Sequence, residues 1–134
     1  MSTNDPEPDG EQRETRTERG QDLSIDRREE AGRSIVTVLG ELDLYTAPNL
    51  RESVLEVADD GQRQLIIDLS GVPFMDSSGL GVIVACLKRL REAGGDLALV
   101  TRPDSPPTKL LSLTGLDRAI PTFTSLDEAL ADPR

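Results

Sequence analysis

The sequence predicts an α/β fold: a mixed β-sheet covered by amphipathic helices, in the element order β-β-α-β-α-β-α-β-α. Three observations lead there. The apolar period switches repeatedly between two and about 3.6 residues, as it does where strands and helices alternate. Two alternating runs open the body around a glycine-containing turn, which adds an antiparallel pair. The chain of 134 residues is also long enough for one aliphatic core without help from disulfides or metals. Alternating strands and helices imply parallel neighbours joined by right-handed crossovers.

The first 22 residues stand apart. They carry seven acids against three arginines, which leaves −4, and Met1 is their one apolar residue. Such a segment cannot offset its ordering entropy by burial. Residues 1–22 are therefore expected to be a disordered acidic tail, and residues 23–134 the folded domain.

Within that domain Leu23-Ser-Ile25 alternates, and so does Ile35-Val-Thr-Val38. Glu29-Glu-Ala-Gly32 between them makes the hairpin turn. Thr46 is placed to cap a helix, with Pro48 tolerated in the first turn. Ala47, Leu50, Val54, Val57 and Ala58 then share one helical face, and Asp59-Asp-Gly61 ends it. Gln64–Leu69 is a nearly continuous apolar run, as expected of a central strand buried on both faces. After the Gly71-Val-Pro73 turn, Leu80, Ile83, Val84, Leu87 and Leu90 form a second helical stripe that runs to Ala93 and stops at Gly94-Gly95. Lys88, Arg89 and Arg91 suit the negative end of that helix dipole, and Cys86 reads as core. Leu97–Val100 is the next strand. Ser105–Gly115 reads as a short helix with prolines at its start and a glycine stop. Ala119–Phe123 is an edge-type strand, because Pro121 cannot donate to a ladder. Ser125 with Glu128 has the pattern of a capping box and starts a terminal helix.

Composition excludes much. A net charge of −10 argues against nucleic acid and against anionic membrane surfaces. With no histidine, Ser-His-Asp and Cys-His catalysis and the commonest metal ligand are lost. One cysteine makes neither an intramolecular disulfide nor a cysteine-based zinc site. No signal peptide or run of about 20 apolar residues is visible, so the cytoplasm is the expected location. No cofactor is expected.

The segment that carries chemistry is Asp76-Ser77-Ser78-Gly79-Leu80-Gly81, where a loop opens into a helix. A serine there reads as an N-cap, its hydroxyl accepting a backbone N–H. The same residues admit a phosphoacceptor, since helix N-termini favour anions and a phosphate adds roughly −1.5 to −2 charges beside Asp76. Gly79 and Gly81 permit close backbone approach. A nucleophile elbow needs Gly-x-Ser-x-Gly and a P-loop needs Gly-Lys-Ser/Thr; neither is present.

The segment Phe74-Met-Asp-Ser-Ser-Gly-Leu-Gly-Val-Ile83 resembles the signature of the anti-sigma factor antagonists, the single-domain STAS proteins of bacterial regulation. Gly40-Glu-Leu-Asp-Leu-Tyr-Thr-Ala47 and, more loosely, Leu110-Leu-Ser-Leu-Thr-Gly-Leu116 match in the same order and spacing. The resemblance covers about residues 23–131. It implies a mixed sheet with helices mainly on one side. It implies that Ser77 is phosphorylated by an anti-sigma factor that is also a serine kinase, and reset by a serine phosphatase. The unphosphorylated form would bind the anti-sigma factor and free the sigma factor. Asp43 and Asp76 would flank the acceptor, with Ser78 a cap or secondary site and Gly79 beside it. The chain would be a monomer, not an enzyme, with the kinase bringing ATP and Mg²⁺. Relatives in stress-signalling scaffolds and lipid-transport complexes share the fold, and a nucleotide-binding or hydrolysing domain is the third reading.

Overall fold

The computed structural model describes residues 14–17 and 23–133. Six strands form one sheet whose spatial order is the sequence order: β1 (Glu14–Thr17), β2 (Leu23–Glu30), β3 (Arg33–Gly40), β4 (Gln64–Gly71), β5 (Asp96–Val100) and β6 (Thr122–Phe123). The β1–β2 and β2–β3 pairs are antiparallel, and β3 through β6 are parallel. The helices are α1 (Ala47–Asp59), α2 (Ser77–Glu92), α3 (Pro106–Thr114), α4 (Leu116–Ala119) and α5 (Leu126–Ala131).

The opening hairpin turns on Ala31 and Gly32, both at positive φ (56° and 77°), as a two-residue hairpin loop demands. From β3 onward each crossover advances the sheet by one strand in the same direction. With a common handedness the crossover helices must then lie on one face. One continuous core bears this out: Leu50 and Val54 of α1, Ile83, Cys86 and Leu90 of α2 and Leu111 of α3 pack with Val36, Leu65, Ile67 and Leu99 of the sheet. Helix α5 takes the opposite face, where Ala129 meets Ile35, Ile66, Ala98 and Val100. Arg33 ties it down by donating to the carbonyls of Ala129 and Asp132. Strand β4 supplies residues to both clusters, as a central strand should.

Four expectations are corrected. Residues 14–17 form β1, although they fall within the expected disordered tail; the remainder of that tail lies outside the described residues. Strand β2 has an edge to which β1 is added through backbone hydrogen bonds, a pairing that needs no apolar burial. The last strand shrinks from Ala119–Phe123 to Thr122–Phe123, because the chain coils into α4 after Gly115 (φ 78°) and Pro121 has no N–H to pair. The Pro121 carbonyl still accepts from Leu99 N–H at 2.9 Å. At α5, Ser125 caps Glu128 N–H at 3.1 Å as expected. The reciprocal bond of the box, however, runs from Thr124 N–H to Glu128. Thr46, finally, sits at the N-cap position of α1 but makes no side-chain cap. Its hydroxyl has other partners, described below.

Candidate functional site

Two loops meet at the carboxyl ends of β3 and β4. Residues 41–46 lead from β3 to α1, and residues 72–76 lead from β4 to α2. A parallel bridge pairs Leu42 with Met75. Leu42 N–H donates to Phe74 O at 3.0 Å, and Asp76 N–H donates to Leu42 O at 3.2 Å. The Leu42 side chain is fully buried. Asp43 and Asp76 therefore follow directly on paired residues and stand beside one another at the start of two helices.

Each aspartate organises its own turn. The Asp43 Oδ1 accepts from Tyr45 N–H at 2.9 Å and Thr46 N–H at 3.1 Å. The Thr46 hydroxyl lies 2.8 Å from Glu41 O and accepts from Asp43 N–H at 2.9 Å. Thr46 thus closes the loop instead of capping the helix, because its buried hydroxyl is turned back into residues 41–43. In α2 the cap is Asp76, whose Oδ1 accepts from Ser78 N–H at 2.8 Å and Gly79 N–H at 3.4 Å. Neither serine is the cap. A carboxylate one residue ahead takes the amides that a serine at the N-cap position would have taken.

Ser77 is consequently the first helical residue, and it is exposed. Among the described residues its hydroxyl has no hydrogen-bond partner. Ser78 is half-buried and Gly79 buried. A Cβ on Gly79 would lie 2.8 Å from Leu42 Cγ and 2.9 Å from Met75 Cγ, so the glycine is what lets the two loops close against α2. Gly81 has open space where a Cβ would stand, and its expected close approach does not exist.

The two loops carry exposed apolar residues that sequence reasoning missed. Leu44 is 63% exposed, Tyr45 73% and Phe74 46%. All three belong to the same two loops, Leu44 and Tyr45 to the one before α1 and Phe74 to the one before α2. The available signal was two of the chain's three aromatics standing in segments between strands and helices. The site has no histidine, and neither aspartate hydrogen-bonds the Ser77 hydroxyl. It can accept a group brought to it, and holds no base poised to activate the serine. Among the described residues, no cluster of three or more candidate metal ligands occurs, and no helix is long and apolar enough to cross a membrane.

Comparison with known proteins adds lineage to this geometry. A family model described as STAS domain matches residues 24–129. An anti-sigma-B factor antagonist of Bacillus subtilis is 36% identical over 94 residues, which cover 70% of this chain and 84% of that protein. One of Staphylococcus aureus is 40% identical over 81 residues, 60% of this chain and 74% of its own length. The crystal structure of an anti-sigma factor antagonist from Mycobacterium paratuberculosis superposes with a TM-score of 0.74 at 35% identity, covering 81% of this chain and 91% of the other.

Proposed function

The chain belongs to the STAS domain family, and from that premise we propose that it is an anti-sigma factor antagonist switched by phosphorylation of Ser77. In its unphosphorylated form it binds a kinase-type anti-sigma factor through the surface around Ser77, and the sigma factor is freed. The kinase transfers the γ-phosphoryl group of ATP to the Ser77 oxygen, ADP leaves, and the complex is broken. A serine phosphatase hydrolyses the phosphoester and restores the hydroxyl. The chain itself supplies an acceptor and a docking surface. The relatives named as anti-sigma factor antagonists support the role.

The observation that carries the reading is the state of Ser77: exposed, first in its helix and free of any partner among the described residues, in a site whose two loops also expose Leu44, Tyr45 and Phe74. A phosphate here finds the helix terminus already served. Ser78 N–H and Gly79 N–H are taken by Asp76, so the dianion adds charge beside a carboxylate and gains little from the free amides. Facing a partner, it brings a desolvation cost and repels any carboxylate opposite. The switch is local. Helix α2 is held by Ile83, Cys86, Leu87 and Leu90, all buried. Each such side chain is worth about 1.5–3 kcal/mol of burial, against about 0.3–2 kcal/mol for a charge at a helix end.

Incubation with ATP, Mg²⁺ and candidate kinase-type anti-sigma factors, followed by intact-mass analysis and peptide mapping, tests this. One phosphate on Ser77, none on Ser77→Ala, and loss of the complex on phosphorylation are expected. Modification at Ser78 instead, or an unchanged affinity of the phosphorylated chain, would overturn it.

A further inference from the structure

The outer surface of the helical layer carries a feature that the Ser77 site does not use. Between α1 and α2 runs an open groove of about 210 Å³, lined by Arg51, Leu55, Ala85, Cys86, Lys88, Arg89 and Glu92. Its floor is apolar, formed by Leu55 and Ala85 with the buried Cys86 beneath. Burial pushes the Cys86 thiol up to about 12, so it serves as a neutral, apolar surface despite the nearby Arg51 charge. The rim is cationic. Three of its four charged residues are Arg51, Lys88 and Arg89, in a chain whose net charge is −10.

The bland account of these cations is compensation of the α2 dipole, and it covers Arg89, in the last turn. It does not cover Arg51. That residue is the fifth of α1, near the positive end of its helix, where a cation gains nothing from the dipole. Arg89 has an exposed partner in Asp59 at 3.6 Å. Arg51 and Lys88 have no ion pair or hydrogen bond among the described residues, and both are exposed. Two free cations thus stand over an apolar floor on an acidic protein.

We propose that the α1–α2 groove is a second docking site, which seats an acidic segment of a partner protein carrying an apolar anchor. Charge complementarity selects an anion, and the floor selects an apolar side chain between the carboxylates. The size selects a protein segment. Pockets that enclose a small ligand run to about 300–1,000 Å³, and this groove has room for one or two side chains. The chain's own residues 1–22 are acidic, but they have only Met1 to offer the floor. Lys88 lies eleven residues beyond Ser77 along α2, roughly 16 Å along the helix axis. A partner bound there leaves Ser77 accessible, so the two sites can be occupied together.

The test is an amide NMR titration of the full chain with an amidated peptide in which leucines at helical spacing are flanked by glutamates. Saturable shifts confined to residues near 51–55 and 85–92, lost at high salt, are expected. Arg51→Gln combined with Lys88→Gln should weaken binding about fivefold, the scale of two exposed charge pairs. An all-glutamate peptide should bind more weakly than the leucine-bearing one. Four results would overturn the proposal: no saturation, shifts centred on residues 74–79, decanoate binding where the peptide does not, or the same amides moving when residues 1–13 are deleted without any peptide. The last two would assign the groove to a small amphipathic anion or to the chain's own terminus. None of these results bears on phosphorylation of Ser77, which is read separately by mass.

Discussion

The starts of α1 and α2 are built on the same plan. Each follows a parallel strand through a short loop, and in each an aspartate Oδ1 accepts two backbone N–H groups, from Tyr45 and Thr46 in one and from Ser78 and Gly79 in the other. The nearby hydroxyls differ. That of Thr46 is buried, 3% exposed, and bonded on both sides, to Glu41 O and Asp43 N–H. That of Ser77 is exposed and bonded to nothing among the described residues. Two similar aspartate turns thus leave one hydroxyl committed to structure and one without a bond among the described residues. The difference arises because Asp76 is itself the N-cap, which places Ser77 inside the helix with its side chain outward. Asp43 stands three residues ahead of its helix's N-cap, and Thr46 must close the gap.

The two helix starts are held together at Leu42, which is bridged to Met75 and fully buried. Leu42→Ala removes a fully buried side chain from between Met75 and α2. A loss of about 2–5 kcal/mol in chemical denaturation is expected. Near-neutral behaviour would mean that the loops hold their places without it.

Thr46→Val keeps the shape and removes the hydroxyl. It leaves Asp43 N–H and Glu41 O short of a partner, and a cost of about 1–3 kcal/mol follows. Urea melts compared with wild type measure it. A change below about 0.5 kcal/mol, the scale of an ordinary surface substitution, would erase the distinction between the two hydroxyls.

Ser77→Ala should show the smallest change in stability, within about 0.5 kcal/mol, because no bond in the folded chain is lost. The same variant should lose all phosphate uptake. A melt as damaged as that of Thr46→Val would assign Ser77 a structural bond that the folded chain does not contain.

Much of this was legible in the residues. Periodicity located β3, β4, α1, α2 and β5 to within a few positions, because their apolar spacing reports which face is buried. The Asp76–Gly81 segment announced a helix start with two hydroxyls, and the resemblance to the anti-sigma factor antagonists pointed to the first of them. Local chemistry also placed the Ser125 cap correctly, since a cap is settled within three or four residues.

Which polar group wins a contested cap was decided elsewhere. Thr46, Ser78 and Asp76 all had cap chemistry, and only the bridge between Leu42 and Met75 set the backbone so that Asp76 reached the α2 amides while Thr46 turned back toward Glu41. The bridge joins residues 33 apart in sequence, and no local pattern encodes it. The same holds for Gly79, whose missing Cβ matters because of Leu42, for β1, which needs the open edge of β2, and for the exposure of Leu44, Tyr45 and Phe74 in the two loops. The sequence by itself determined the order of the elements from β2 onward, apart from the short α4, and the resemblance to the family. The tertiary structure decided which hydroxyl is free, because hydrogen-bond competition is settled by distances between segments that only the folded sheet brings together.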